Sequence, residues 1–205
     1  MNTTTKFLLS AALTASLLAG CKKVEVIPEK VSIQGKVACN KDPNQGMIDV
    51  KVDILKDGVT LQSINTNAKG EYTFQNLEKG SNYAIQLSKV GIFTGNTLQL
   101  ALLSKKITGL PTTASAFQLL AADIDFSGKI DAEDITTLRK YVLGLANELN
   151  VWRFATNDYE FPSPTNLLGA GSVNTLIISN LDGNKTNVDF VPVKVGDTDL
   201  KETCK

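Results

Sequence analysis

Five oxygen-bearing side chains crowd one short window of this chain: Asp123, Asp125, Ser127, Asp131 and Asp134. Counting Asp123 as the first position, they stand at positions one, three, five, nine and twelve, with Gly128 at six. Alternate side chains of a tightly curled loop can all point inward, and a cage of roughly six to eight oxygens is what calcium, a hard cation, requires. Gly128 supplies the sharp turn that a Cβ would obstruct. Lys129, at seven, offers its backbone carbonyl, which leaves its side chain free to be of any type. Ile130 follows and can pin the loop to a core. The pattern predicts one bound calcium ion. Acidic residues also gather before helices simply to suit the N-terminal dipole, but that cause demands neither Gly at six nor an apolar residue at eight.

The spacing resembles an EF-hand loop with two departures: position twelve is Asp134 rather than Glu, and position five is Ser127 rather than Asp or Asn. The helix predicted next carries Ile135, Leu138 and Val142 as an apolar stripe and Gly144 as a C-terminal cap. A calcium loop closed by Asp and followed by this helix resembles a dockerin repeat. Dockerins are small calcium modules that dock onto cohesin domains in polysaccharide-degrading assemblies, and they carry two repeats. Residues 97–110 match the helix half of a second repeat through Leu98, Leu102, Ile107 and Gly109-Leu110, but the segment before it lacks carboxylates. The first repeat is therefore degenerate. Trp152-Arg153-Phe154, the Tyr159-to-Pro164 motif and Val193 to Asp197 resemble the dockerin-like tails of certain Gram-negative secreted proteins, so the resemblance spans residues 92–199. In cohesin-binding dockerins two hydroxyl residues late in the loop and a basic pair one turn beyond make the contacts. Here Ala132-Glu133 replace the hydroxyls, while Arg139 and Lys140 keep the basic pair.

Composition sets the bounds. In 205 residues Lys plus Arg and Asp plus Glu each number 21, so no global basic field exists to attract nucleic acid. The absence of His excludes His-based acid–base catalysis and His-ligated zinc or haem. Three Cys without a C-x-x-C exclude a thiolate metal cage. A carboxylate pair can hydrolyse glycosides, but the acidic cluster is committed to a metal, and a non-catalytic protein is expected.

Residues 1–20 read as an export signal, with Lys6 before an apolar run too short to span a bilayer comfortably. Leu18-Ala19-Gly20-Cys21 is similar to the bacterial lipobox, which implies acylation of Cys21 and attachment to a lipid bilayer at the cell envelope. Lys22 and Lys23, rather than Asp, follow Cys21 and point to an outer-membrane lipoprotein, facing either the periplasm or the outside. Residues 21–30 form a charged tether. From residue 31 the hydrophobic period becomes two: Val50, Val52 and Ile54 alternate with charge, and Asp57-Gly58 and Lys69-Gly70 mark turns. Gly70, Tyr72, Phe74, Leu77, Gly80 and Tyr83 resemble the prealbumin-like β-sandwich of regulatory, CnaB-type and carbohydrate-binding-like modules. Tyr72, Phe74 and Tyr83 could form a sugar platform, but rings at period two are more often core partners.

The expected fold class is α+β and multidomain. Residues 31–88 form a small antiparallel β-sandwich and residues 89–149 a dockerin-like helical calcium module. Residues 150–205 form a C-terminal extension in which strands at 175–179 and 190–195 pair as a β-hairpin against the repeat helices. Asp182-Gly183-Asn184 reads as a turn rather than a second metal loop, because Phe190 and Val193 occupy its ninth and twelfth positions. Cys39 and Cys204 remain for a disulfide outside the cytoplasm. Two functions stay open. In the first, the calcium module binds a cohesin-like protein through Arg139 and Lys140, in association with polysaccharide breakdown. In the second, the sandwich binds carbohydrate or serves a structural role at the cell surface, and the calcium repeat is only a brace.

Overall fold

In a computed structural model of the chain, the described residues are 29–39, 42–91, 97, 100, 101, 104, 105, 108, 115–145, 152–157, 159 and 173–197. They form a mostly antiparallel β fold with two delimited helices. The strands are β1 (Lys30–Lys36), β2 (Lys51–Lys56), β3 (Val59–Asn65), β4 (Glu71–Glu78), β5 (Tyr83–Ser88), β6 (Trp152–Thr156), β7 (Thr175–Ile178) and β8 (Phe190–Lys194); the helices α1 (Ala116–Ala122) and α2 (Ala132–Val142) lie between β5 and β6. The expected signal segment, the expected lipidation site Cys21, most of the expected tether and Cys204 lie outside the described residues. Cys39 is disulfide-bonded, and since Cys21 and Cys204 are both outside, the expected pairing stays with the sequence.

Alternation builds the first five strands. Val52, Ile54, Phe74, Leu77 and Ile85 are wholly buried while their neighbours in sequence, the buried Asp53 apart, reach solvent. Asp57 and Gly58 both take positive φ (53° and 79°), the turn geometry whose twist matches a tight hairpin between β2 and β3. The strands assemble into β1–β4, β3–β2–β5–β7 and β6–β8 sheets that share one core, an arrangement compatible with a β-sandwich. Tyr72, Phe74 and Tyr83 all lie in that core and present no exposed aromatic platform.

The expected C-terminal hairpin does not form. β7 pairs antiparallel with β5, from Tyr83 opposite Ile178 to Gln86 opposite Thr175, and β8 pairs with β6. Parallel bridges from Ile33 to Lys185 and from Val37 to Phe190 tie the tail to the first strand. The core that residues 31–88 were expected to close alone takes Trp152, Phe154, Ile178, Leu181, Val188 and Phe190 from the tail. The physical reason lies at the edge of the sheet: β5 would otherwise leave a row of unpaired backbone groups, and β7 covers it.

The β6–β8 ribbon is buried on both faces and divides the two halves of the molecule. Trp152, Phe154 and Phe190 point into the large core. Ala155 and Val193, on the opposite face by the period-two rule, pack with Leu120 and Ala121 of α1. Arg153 belongs to that second face, since it is paired across the ribbon with Val193. A smaller cluster of Ala122, Ile124, Leu138 and Val195, with Leu100, Ile130 and Val142 against it, fastens the loop between the helices. Residues 97, 100, 101, 104, 105 and 108 are helical, as the expected first repeat requires. Among the described residues no helix is long and apolar enough to cross a membrane.

Candidate metal centre

α1 starts at a capping box, Ser115 with Gln118, and delivers the chain into the acidic loop at Asp123. α2 starts at a second capping box in which Asp131 accepts from the backbone of its own first turn while Asp134 accepts from the Asp131 N–H at 2.8 Å. Asp134 also accepts from the N–H groups of Ile124 (2.6 Å) and Asp125 (3.3 Å), so one carboxylate ties both ends of the loop together. Gly128 takes φ 78° and donates its N–H to Asp123 Oδ2 at 3.2 Å. Ser127 donates its N–H to Asp125 Oδ1 at 2.9 Å. Ile130, at position eight, packs against the small cluster as the sequence led us to expect, and Ile124, at position two, is a second anchor within it.

The loop brings Asp123, Asp125 and Asp134 together, each offering an oxygen within 4.8 Å of the others. Asp123 and Asp134 are 1% and 0% exposed, whereas Asp125 is open to solvent. This acidic triad can hold a metal ion. One atom argues for it directly: Asp123 Oδ1 is buried and has no hydrogen-bond partner, a costly state for a carboxylate oxygen that a cation would relieve. The set is all oxygen, the donor chemistry of hard cations rather than of zinc or copper. The other expected ligands are hydrogen-bonded within the loop. Asp131 accepts from the Glu133 N–H at 2.9 Å, and the Lys129 carbonyl accepts from Ser127 Oγ at 3.4 Å.

Arg153 is a site residue to which the sequence assigned no role. It lies 30 residues beyond Asp123, and its guanidinium donates to Asp123 Oδ2 at 3.0 Å and to the Asp123 carbonyl at 2.8 Å. Both side chains are nearly inaccessible, at 5% and 2%. The Phe126 ring lies 4.0 Å from the guanidinium carbon, placed there by a positive φ of 65°. The only sequence signal was a lone Arg between two large aromatic residues in Trp152-Arg153-Phe154.

Burial pushes the Asp134 carboxyl up to about 6, against three backbone N–H bonds that pull it down; nearby Asp125 adds to the rise. Burial also raises Asp123, opposed by Arg153 and the Gly128 N–H. Arg153 is lowered by burial, opposed by Asp123. For Asp134 the folded value lies above the ordinary 3.8, so the metal-free native state binds the extra proton. Its stabilising contribution is complete below pH 4 and is lost as pH rises through about 6. At about 1.4 kcal/mol per pH unit, this amounts to about 3 kcal/mol across the window. Metal-stripped protein is thus expected to resist urea better at pH 5 than at pH 7, and Asp134→Asn to flatten that difference. An unchanged pH dependence in the variant would assign it to other groups.

No protein-family model and no curated protein sequence matches this chain.

Proposed function

We propose that the protein is a non-catalytic calcium-binding module of the cell envelope, anchored through acylated Cys21, whose loop and helix form a dockerin-like docking unit. The observation that carries the reading is the meeting of three carboxylate oxygens from Asp123, Asp125 and Asp134 within 4.8 Å, one of them on a residue with a buried, unpartnered oxygen. Calcium is the cation that the position-by-position spacing and the all-oxygen donor set favour. Arg139 and Lys140 are both exposed on α2, free to meet an acidic partner such as a cohesin-like surface. A pull-down in calcium that captures a partner with the native chain, and not with Arg139→Glu, is the result this docking role requires.

Calcium relieves repulsion among the carboxylates and fixes the start of α2. At a free concentration about a hundredfold above Kd it stabilises the native state by about 2.7 kcal/mol. For a chain of this size that corresponds to a rise in melting temperature of roughly 5–10 °C. Thermal unfolding in calcium and in excess EGTA reads it directly, and coincident melts would end the calcium reading.

A second reading gives the metal loop a bracing role and assigns carbohydrate binding or surface structure to the β-sheets. It is favoured by the Asp123–Arg153 pair, which fastens the loop to a ribbon whose other face is the main core. Any sugar contact would come from residues other than Tyr72, Phe74 and Tyr83. Glycan binding that persists in the full chain carrying Arg139→Glu and Lys140→Glu would favour this role over docking.

A further inference from the structure

We propose that Arg153 sets the charge selectivity of the metal loop, matching it to a divalent cation and against a trivalent one. The inference rests on the calcium reading above and deepens it. The triad contributes three negative charges and Arg153 one positive charge, bonded at 3.0 Å to the first ligand residue. Arg153 therefore offsets one carboxylate charge however many ligands the ion takes, and its repulsion grows with each unit of charge on the ion, penalising a trivalent ion more than a divalent one. Asp131, Glu133 and Lys129 are exposed, and solvent screens them far more than the buried pair.

The geometry makes this more than a count of charges. Arg153 holds Asp123 Oδ2 and the Asp123 carbonyl, and leaves Oδ1 without a partner. One carboxylate is thereby divided between a resident cation and an incoming one. The Phe126 ring and the ribbon hold the guanidinium in place, so it does not swing aside when an ion enters. With the ion roughly 6 Å from the guanidinium and an effective dielectric near 20, each added unit of ion charge meets a repulsion on the order of a hundredfold in affinity; screening on the open Asp125 side reduces this to about tenfold or more.

Titration calorimetry of the full chain with calcium chloride and with lanthanum chloride tests it. The native protein is expected to bind lanthanum no more than about tenfold more tightly than calcium. Arg153→Met is expected to shift the lanthanum-to-calcium affinity ratio about tenfold or more toward lanthanum, while Arg153→Lys, which keeps the charge, leaves it near the native value. Loss of mere positioning would weaken both ions together and leave the ratio alone. Calcium binding with an unchanged ratio in Arg153→Met overturns the inference and leaves the calcium reading standing. If neither variant folds, the native protein still decides: lanthanum binding a hundredfold tighter than calcium overturns the inference. No binding of calcium by the native chain overturns both readings.

Discussion

A chain spanning only residues 29–91 is expected not to fold, although its strand pattern reads as a complete small sandwich. Truncation there exposes the β5 edge by removing β7, and it empties the core of Trp152, Phe154, Ile178, Leu181, Val188 and Phe190. Burying each large apolar side chain contributes about 1.5–3 kcal/mol. Six such losses, about 9–18 kcal/mol, are as large as the whole stability of a native domain, roughly 5–15 kcal/mol. Polar bonds are lost as well. Tyr72 donates its buried hydroxyl to the Val188 carbonyl, and the Lys36 N–H donates to Asp189 Oδ1 at 2.8 Å. The truncated chain should give collapsed amide chemical-shift dispersion and no cooperative melt, while the full chain shows both. A cooperative melt from residues 29–91 would mean that β1 to β5 form a self-sufficient unit and that the tail only decorates it. The same argument governs how carbohydrate binding can be tested: cutting away residues 89–205 would destroy the sheet whose role is in question, so surface substitutions in the full chain are the usable probe.

The metal loop was legible because everything that defines it is local. Ligand spacing, the turn at Gly128 and the anchor Ile130 fall within a dozen residues, and a helix follows at once. The hairpin of β2 and β3 was legible in part for the same reason: alternation at Val52 and Ile54 runs into Asp57-Gly58. What stayed hidden was non-local. β7 is four residues long, and its partner strand lies about ninety residues upstream. A short run of Thr, Leu and Ile carries no mark of which edge it will cover, and the nearest plausible partner in sequence, β8, attracts the guess. Among the described residues β8 lies against α1, not against the repeat helices it was expected to cover, and it does so as half of a ribbon with β6. The Arg153 role was hidden differently. Trp152-Arg153-Phe154 entered the sequence reading only as part of a resemblance, and only the fold shows that it is a strand whose Arg looks at Asp123 rather than at water.

The pair itself should prove strongly and unequally coupled. In metal-free protein, Arg153→Met leaves Asp123, Asp125 and Asp134 facing one another with no cation among them, two of the three buried. Breaking a buried ion pair from one side costs about 3–5 kcal/mol, and this arrangement belongs at the upper end. Asp123→Asn should cost less, because Arg153 is still attracted by Asp125 and Asp134, and Asn can still accept from the guanidinium. The double variant should lose clearly less than the two single losses added together, since each substitution removes part of the reason for the other's cost. Urea unfolding of the four proteins in EGTA measures all three quantities. Equal single costs that simply add would show that the two charges are held by packing and scarcely sense one another. Calcium gives an internal control on the sign: a cation entering the Arg153→Met loop supplies the missing positive charge, so saturating calcium should recover more stability in that variant than it adds to the native protein. Asp123→Asn, short of one ligand charge, should recover less.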